Sequence, residues 1–264
     1  MKKIIGTFLT SLLSVVVVLG FIPAVSADYL REPVSEQERG QFPNSLTYAW
    51  NITKGDGRVM RCTGTYIGDR LFLSAGHCVT TRDGDSKKTK SAETESNGST
   101  HPVDFKMYKK NFLSKNPFKP MPGYSGFTDL KNDVSITTVT EPKTINLDTS
   151  NVRLAAYSDL QQLVGKEVTT VGYSNYFYGD LTKTSGRVLA VEADGTLTVD
   201  FYVAEQNSGS AVYLNGEIIG ILTATADIEE CRGSAMCKLA TVTPFTKDIK
   251  AKLFDPNGVN VLVH

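Results

Sequence analysis

A surplus of charge of one sign is missing from this chain of 264 residues: its 28 basic and 28 acidic side chains cancel. With no net field to hold a polyanion, nucleic acid is not expected as a main partner. Cysteine is scarce as well. Four cysteines cannot frame a chain this long as a disulfide miniprotein, although the even number is compatible with two bridges in an oxidising compartment. Histidine occurs only as His77, His101 and His264. None stands at zinc-ligand spacing except His77 beside Cys78, and two adjacent residues do not close a tetrahedral site, so neither a metal nor another cofactor is expected. After residue 28 no apolar run is long enough to span a bilayer. What is present, 41% hydrophobic and 21% charged residues, suits a globular protein with a sizeable core.

Lys2 and Lys3 precede a mostly apolar run from Ile4 to Ile22, followed by Pro23 and Ala24-Val25-Ser26-Ala27. This layout predicts a secretory signal over residues 1–27, cleaved after Ala27. A membrane anchor is the competing reading, but Thr7, Thr10, Ser11, Ser14 and Gly20 dilute the run. The remaining chain is expected to be secreted and monomeric, without membrane contact. Arg31 and Arg39 are candidate sites for further trimming of the new N-terminus.

Short runs rich in Val, Ile, Thr and Tyr, punctuated by Gly, Asn and Asp, predict an all-β protein. Strands Gly64–Gly68 and Leu71–Ala75 flank an Asp69-Arg70 turn. Val188–Val191 and Leu197–Val203 flank Asp194-Gly195, and Ala211–Leu214 and Ile218–Leu222 flank Asn215-Gly216. One helix is expected at the C-terminal end, capped by Thr243, with Pro244 in its first turn and Phe245, Ile249 and Leu253 at four-residue spacing. The polar stretch Thr80–Thr100 reads as a solvated loop, since it has little to bury against its ordering entropy. Its Asp83-Gly84-Asp85 lacks the further carboxylates of a calcium loop. Asn111–Asp133 reads as a long connection. A break near Thr140–Ser150, at Glu141-Pro142-Lys143, divides the chain into a region over 28–145 and another over 146–264.

Few residues combine reactive chemistry with a fitting context. His77 ends an apolar strand in Leu73-Ser74-Ala75-Gly76-His77-Cys78, where small residues set an imidazole at a strand mouth. Imidazole takes and returns a proton near neutral pH, as a general base must. Ser208 sits in the tight polar turn Glu205-Gln206-Asn207-Ser208-Gly209-Ser210, which exposes a hydroxyl and lets backbone N–H groups converge on an oxyanion. Asp133 stands immediately before the apolar strand Val134-Ser135-Ile136, a place where a carboxylate can be part-buried against an imidazole; Asp129 and Asp104 compete for that role. His101 and His264 read as solvent-exposed.

These segments together resemble the chymotrypsin-like (trypsin-like) serine peptidases over most of residues 40–254, in the chain order His, Asp, Ser. Cys62-Thr63-Gly64-Thr65 with Ser74-Ala75-Gly76-His77-Cys78 is similar to that family's half-cystine and histidine segment. Asn132-Asp133-Val134 resembles its aspartate segment and Asn207-Ser208-Gly209-Ser210 its nucleophile segment, closest to the bacterial glutamyl endopeptidase and exfoliative toxin branch. The resemblance implies two antiparallel six-stranded β-barrels with the active site in the cleft between them. It implies a triad of His77, Asp133 and Ser208 that hydrolyses peptide bonds in a peptide or protein substrate through an acyl-enzyme. It also implies a Cys62–Cys78 bridge, leaving Cys231 and Cys237 to pair, and oxyanion donors at the N–H groups of Gln206 and Ser208.

The chain departs from the family at several positions. Gln206 stands where glycine is usual, and a Cβ there is expected to strain the oxyanion turn. Asn207 replaces an aspartate. Tyr202 occupies the position that is acidic in trypsin, and Gly220-Ile221 is followed by Leu222 where the glutamyl branch has histidine, so neither basic nor glutamyl specificity is supported. Tyr202, Val203, Glu205 and Leu222 are the expected pocket residues, and Thr223, Ala224 and Thr225 the edge that takes an extended substrate by strand addition. The alternative function is a catalytically silent relative that binds a protein partner through the same cleft.

Overall fold

The computed structural model describes residues 31–94, 105–108, 115–174, 180–225 and 239–264. The signal segment, His101, Asp104, Cys231 and Cys237 lie outside them, as do the side chains of Ala224 and Thr225.

A short N-terminal stretch carries β1 (Glu32–Pro33) and the helical turn α1 (Glu36–Arg39). The first lobe is built from β2 (Thr47–Lys54), β3 (Val59–Gly68), β4 (Leu71–Ser74), β5 (Thr89–Thr94), β6 (Lys106–Tyr108), β7 (Phe118–Pro120) and β8 (Ser135–Thr138), with α2 (Gly76–Val79) after β4. The second contains β9 (Leu154–Ala156), β10 (Glu167–Tyr173), β11 (Leu181–Val191), β12 (Leu197–Val199), β13 (Ala211–Leu214), β14 (Glu217–Thr225) and β15 (Ala240–Pro244). The chain then runs through α3 (Lys247–Ile249) to β16 (Val261–Val263).

The second lobe is a closed barrel: β13, β10, β11, β12, β15 and β14 follow one another, and β14 pairs back to β13. β9 and β16 extend it in parallel beyond β14, and β1 lies antiparallel on β11. The first lobe is a seven-stranded antiparallel sheet in the order β6-β5-β2-β3-β4-β8-β7. It curls into a half-barrel, and a single bridge between Lys106 and Glu141 links β6 to the chain leaving β8. A closed six-strand barrel beside a curled half-barrel bears out the expected two-lobed β architecture, and among the described residues no ladder joins the two edge strands of the first lobe.

Local chemistry explains the hairpins. Asp69 and Arg70, at φ 48° and 63°, join β3 to β4, and Asn215 and Gly216, at 52° and 83°, join β13 to β14. Two successive positive φ values match the right-handed twist of paired strands. Alternation then buries one face. Tyr48, Trp50, Phe72 and Phe105 meet edge-on in the first lobe, with Tyr48 to Phe72 at 5.5 Å and Trp50 to Phe72 at 5.3 Å between ring centroids. Gly64 makes room for this packing, since a Cβ there would lie 2.4 Å from the Trp50 ring.

Three local expectations are corrected. Residues 80–100 are not all loop: β5 pairs with β2 and β6, and buries only Thr89, Ala92 and Thr94. Small inward residues suffice there because the large aromatics of β2 fill the core. The Asn111–Asp133 connection contains β7, which pairs with β8. The C-terminal helix begins three residues later than its pattern suggests. Thr243 and Pro244 stay in β15 opposite Ile221 and Gly220, and the Thr246 hydroxyl accepts the Ile249 N–H instead. Within this C-terminal stretch only α3 is α-helical; a π turn over Lys250–Phe254 and a 3-10 turn over Asp255–Asn257 follow, ending at Gly258 with φ 72°.

Candidate active site

The imidazole of His77 is placed by the abrupt turn from β4 into α2. Gly76 is required in that turn: a Cβ on it would lie 3.0 Å from Asp133 Oδ1 and 3.4 Å from the Tyr124 ring. Asp133 follows a 3-10 turn over Leu130–Asn132 at the entrance to β8. Since β8 pairs with β4 through Ser74↔Ser135, the two turns open at the same end of the sheet. Asp133 accepts the His77 backbone N–H at Oδ1 and meets Nδ1 at Oδ2, both at 2.7 Å. The carboxylate side chain is 1% exposed and the imidazole 14%. These bonds fix the ring and turn Nε2 toward Cys78 Sγ, 3.7 Å away. Burial foremost, and then the Asp133 charge, pushes the neighbouring Tyr124 phenol far above its usual range, so it remains neutral. Asp129, the competitor, is turned away to the Ser125 N–H and the Asn132 amide.

Ser208 arrives from the second lobe, on the turn before β13. Its carbonyl accepts the Thr63 N–H at 2.8 Å and lies 3.9 Å from Cys78 Sγ, while His77 Nε2 is 3.7 Å from that sulfur. The hydroxyl itself is directed at the Thr223 carbonyl, 3.4 Å away. The Ser208 carbonyl and His77 Nε2 thus flank the same sulfur, while among the described residues no hydrogen bond joins Ser208 Oγ to the imidazole. Cys62 and Cys78 are joined across a separation of 16 residues, beneath the histidine turn. Their sulfurs, which crowd His77, are consequently not thiolate ligands for a metal.

The turn carrying Ser208 is held by a residue that sequence reasoning quoted without a role. Thr63, fully buried next to Cys62, donates its hydroxyl to the Gln206 carbonyl at 3.0 Å and accepts the Tyr173 N–H at 3.0 Å. Gly209, with φ 88°, lets the turn press against β3 and β4; a Cβ there would fall 2.2 Å from the Thr63 carbonyl. Asn207 is wholly buried, its amide donating to the Tyr173 carbonyl at 2.5 Å and its Oδ1 accepting the Ala204 N–H at 2.9 Å. Gln206 has φ 78°, and the Asn207 N–H bonds the Ala204 carbonyl. A positive φ at the third residue of such a turn is the type II signature, normally met by glycine. The strain expected at Gln206 is therefore present.

Two buried cations were also missed, because in a sequence they read as ordinary surface charge. Lys54 projects from β2 beneath α2 and donates to the carbonyls of Cys78 at 2.5 Å and Thr80 at 2.7 Å; burial lowers its pKa to about 8. Arg31, 1% exposed, bonds Thr182 Oγ1 at 2.8 Å, the Thr182 carbonyl at 3.1 Å and the Tyr202 carbonyl at 3.3 Å; burial lowers its pKa to about 9. These bonds dock the Arg31 side chain, one of the two candidate trimming positions, against β11 and the Tyr202 carbonyl. Arg39 lies nearer the surface and pairs with Asp180 at 3.6 Å.

Tyr202 is half-buried, Val203 and Leu222 are buried and Glu205 is exposed. β14 pairs with β13 as far as Ile221, and Leu222 is covered by Gly209 and Ser210. Beyond that point Thr223–Thr225 keeps β15 on one side, and the Thr223 carbonyl accepts the Ser208 hydroxyl.

A family model described as Trypsin matches residues 34–247. The chain belongs to the trypsin family. Comparison with curated proteins by sequence finds no match. Among solved structures, the protease Anisep from Arthrobacter nicotinovorans is similar at 14% identity and TM-score 0.59, over 81% of this chain and 95% of that one. A thermostable serine protease, AL20, from an extremophilic microorganism aligns at 10% identity and TM-score 0.63, over 82% and 98%. A Glu endopeptidase aligns at 18% and 0.58, over 84% and 93%. At these identities the structures establish a shared trypsin-like fold, with its closed barrel and curled half-barrel.

Proposed function

We propose that this trypsin-family protein is a secreted serine endopeptidase in which His77, Asp133 and Ser208 form the catalytic triad. The observation that carries the reading is the pair of 2.7 Å contacts from Asp133 to the backbone and ring of His77, on a wall that Ser208 approaches from the opposite lobe. In this mechanism a turn of the Ser208 side chain moves Oγ from the Thr223 carbonyl to His77 Nε2. Oγ attacks the substrate carbonyl carbon as its proton passes to Nε2, and Asp133 stabilises the imidazolium through Nδ1. The proton is handed to the departing amine, and water then hydrolyses the ester by the same route. The N–H groups of Gln206 and Ser208 serve as oxyanion donors, and removal of one such donor typically costs about 100-fold to 1000-fold in turnover.

The acyl half of the substrate lies along Thr223–Thr225 as an added strand, with Tyr202, Val203, Glu205 and Leu222 around the pocket. The N-terminal signal, the Cys62–Cys78 bridge and the absence, among the described residues, of a helix able to cross a membrane support export. The silent-cleft alternative draws on two observations, the strained Gln206 and the Ser208 hydroxyl turned toward Thr223. Digestion of a peptide library separates the two readings. The wild-type protein is expected to generate new termini, and Ser208→Ala to slow their appearance by about 1000-fold or more. Equal products from both proteins, or none from either, exclude the endopeptidase.

A further inference from the structure

A groove of about 890 Å³ opens on the first lobe beside His77, between the β2–β3 hairpin and the segment over residues 80–90. Phe127 joins it to the candidate active site. Its ring, 39% exposed, lines the groove and also packs edge-on against the His77 imidazole at 5.6 Å, and its N–H meets the Arg82 carbonyl at 3.4 Å. Gly126, with φ 114°, permits that junction, because a Cβ there would lie 2.0 Å from the same carbonyl.

The lining is unbalanced in charge. Arg58, Arg82, Lys87, Lys88 and Lys90 line the groove, while Asp56 is engaged by Arg58 at 2.6 Å and Asp83 by Lys88 at 3.5 Å. Arg82 and Lys90 are exposed and have no carboxylate partner among the described residues. A chain with no net charge has concentrated cations in one cleft, and that cleft adjoins the base that must protonate the leaving amine.

We propose that this groove binds an acidic polypeptide, namely the half of the substrate that lies C-terminal to the scissile bond. The assignment rests on the triad reading above. With the acyl half held on Ser208 and the Thr223–Thr225 edge, the departing half passes His77 and Phe127 onto the first lobe. Asp and Glu side chains on that half would meet Arg82 and Lys90, and the Phe127 ring offers an apolar contact at the groove mouth. Complementary charge of this kind acts chiefly on specificity and encounter rate, and salt screens it.

Three labelled peptides test the assignment, identical in their acyl half and carrying Asp/Glu, Asn/Gln or Lys in the leaving half. Anisotropy with Ser208→Ala protein reads binding without turnover, and kcat/KM is measured in parallel with the wild type. The acidic peptide is expected to bind about 10-fold more tightly than the neutral one at low ionic strength, with the advantage falling below about 2-fold near 0.5 M salt. In the Arg82→Glu/Lys90→Glu variant, whose folding is checked by circular dichroism, the order is expected to reverse in favour of the lysine peptide. Equal binding of all three peptides overturns the assignment, as does a preference that survives both high salt and charge reversal. Displacement by an oligonucleotide at a tenth of the competing peptide concentration also overturns it, by assigning the groove to a nucleic-acid polyanion. Peptide preference without any cleavage by the wild type refutes the endopeptidase and leaves an acidic-peptide groove. Cleavage without preference refutes the groove alone.

Discussion

Thr63 shows how much one small side chain carries here. Its hydroxyl joins the Ser208 turn at the Gln206 carbonyl to the end of β10 at the Tyr173 N–H, and both partners lie in the opposite lobe from Thr63 itself. Thr63→Val keeps the shape and removes the bonds. Leaving the Tyr173 N–H without its acceptor is expected to cost about 1–3 kcal/mol, measured by denaturant unfolding. In the proposed enzyme the same change loosens Ser208, so kcat is expected to fall with little change in KM; an unchanged stability and kcat would remove Thr63 from this role. At this scale the sequence narrows the candidates for the proposed triad where chemistry is rare. Three histidines and one Asn-Ser-Gly-Ser turn leave few candidates, and His77, Asp133 and Ser208 stand out by chain order and context. Thr63, Lys54 and Arg31 were not legible because their importance comes from burial and from carbonyls distant in sequence, which no local pattern reports.

Among the elements, α1 has the least of its own to hold it: it is one helical turn with no buried residues. Its attachment depends on Glu38, which accepts from the Ser35 N–H at 3.1 Å and meets Lys183 of β11 at 2.6 Å. The Lys183 bond foremost, and then the Ser35 bonds, lower the Glu38 pKa from 4.5 to about 2. A depressed carboxylate pKa means that the contribution is complete above the unfolded value and is lost as pH falls toward the folded one. The melting temperature of wild type is therefore expected to exceed that of Glu38→Gln at pH 6, with the gap closing as pH falls from 4.5 to 2; a gap independent of pH would contradict the attachment. Hairpins such as β3–β4 and β13–β14 were readable from their turn residues. β5 was not, because its inward residues are small and its stability comes from pairing with β2. The C-terminal helix was readable as apolar four-residue spacing, but its start was misplaced because Thr243 and Pro244 also satisfy a strand end.

Across the whole molecule, two sheets of different closure meet at a cleft. The aromatic half-barrel joins His77 to Asp133, and the closed barrel carries Ser208, whose carbonyl accepts the Thr63 N–H of the first lobe. The sequence pattern revealed mostly β structure and a change of rhythm near residues 140–150; it could not reveal that one lobe closes by ladder and the other by a single bridge, since closure depends on strand tilt and stagger. The account stands on cooperation between the walls, and a fluorophosphonate probe tests it most directly. The folded wild-type protein is expected to acquire one adduct by intact mass, located on Ser208 by fragmentation, while His77→Ala and Ser208→Ala remain unlabelled over the same interval. A folded wild-type protein that takes no label, or takes it on another residue, would contradict the claim that these lobes assemble a working nucleophile.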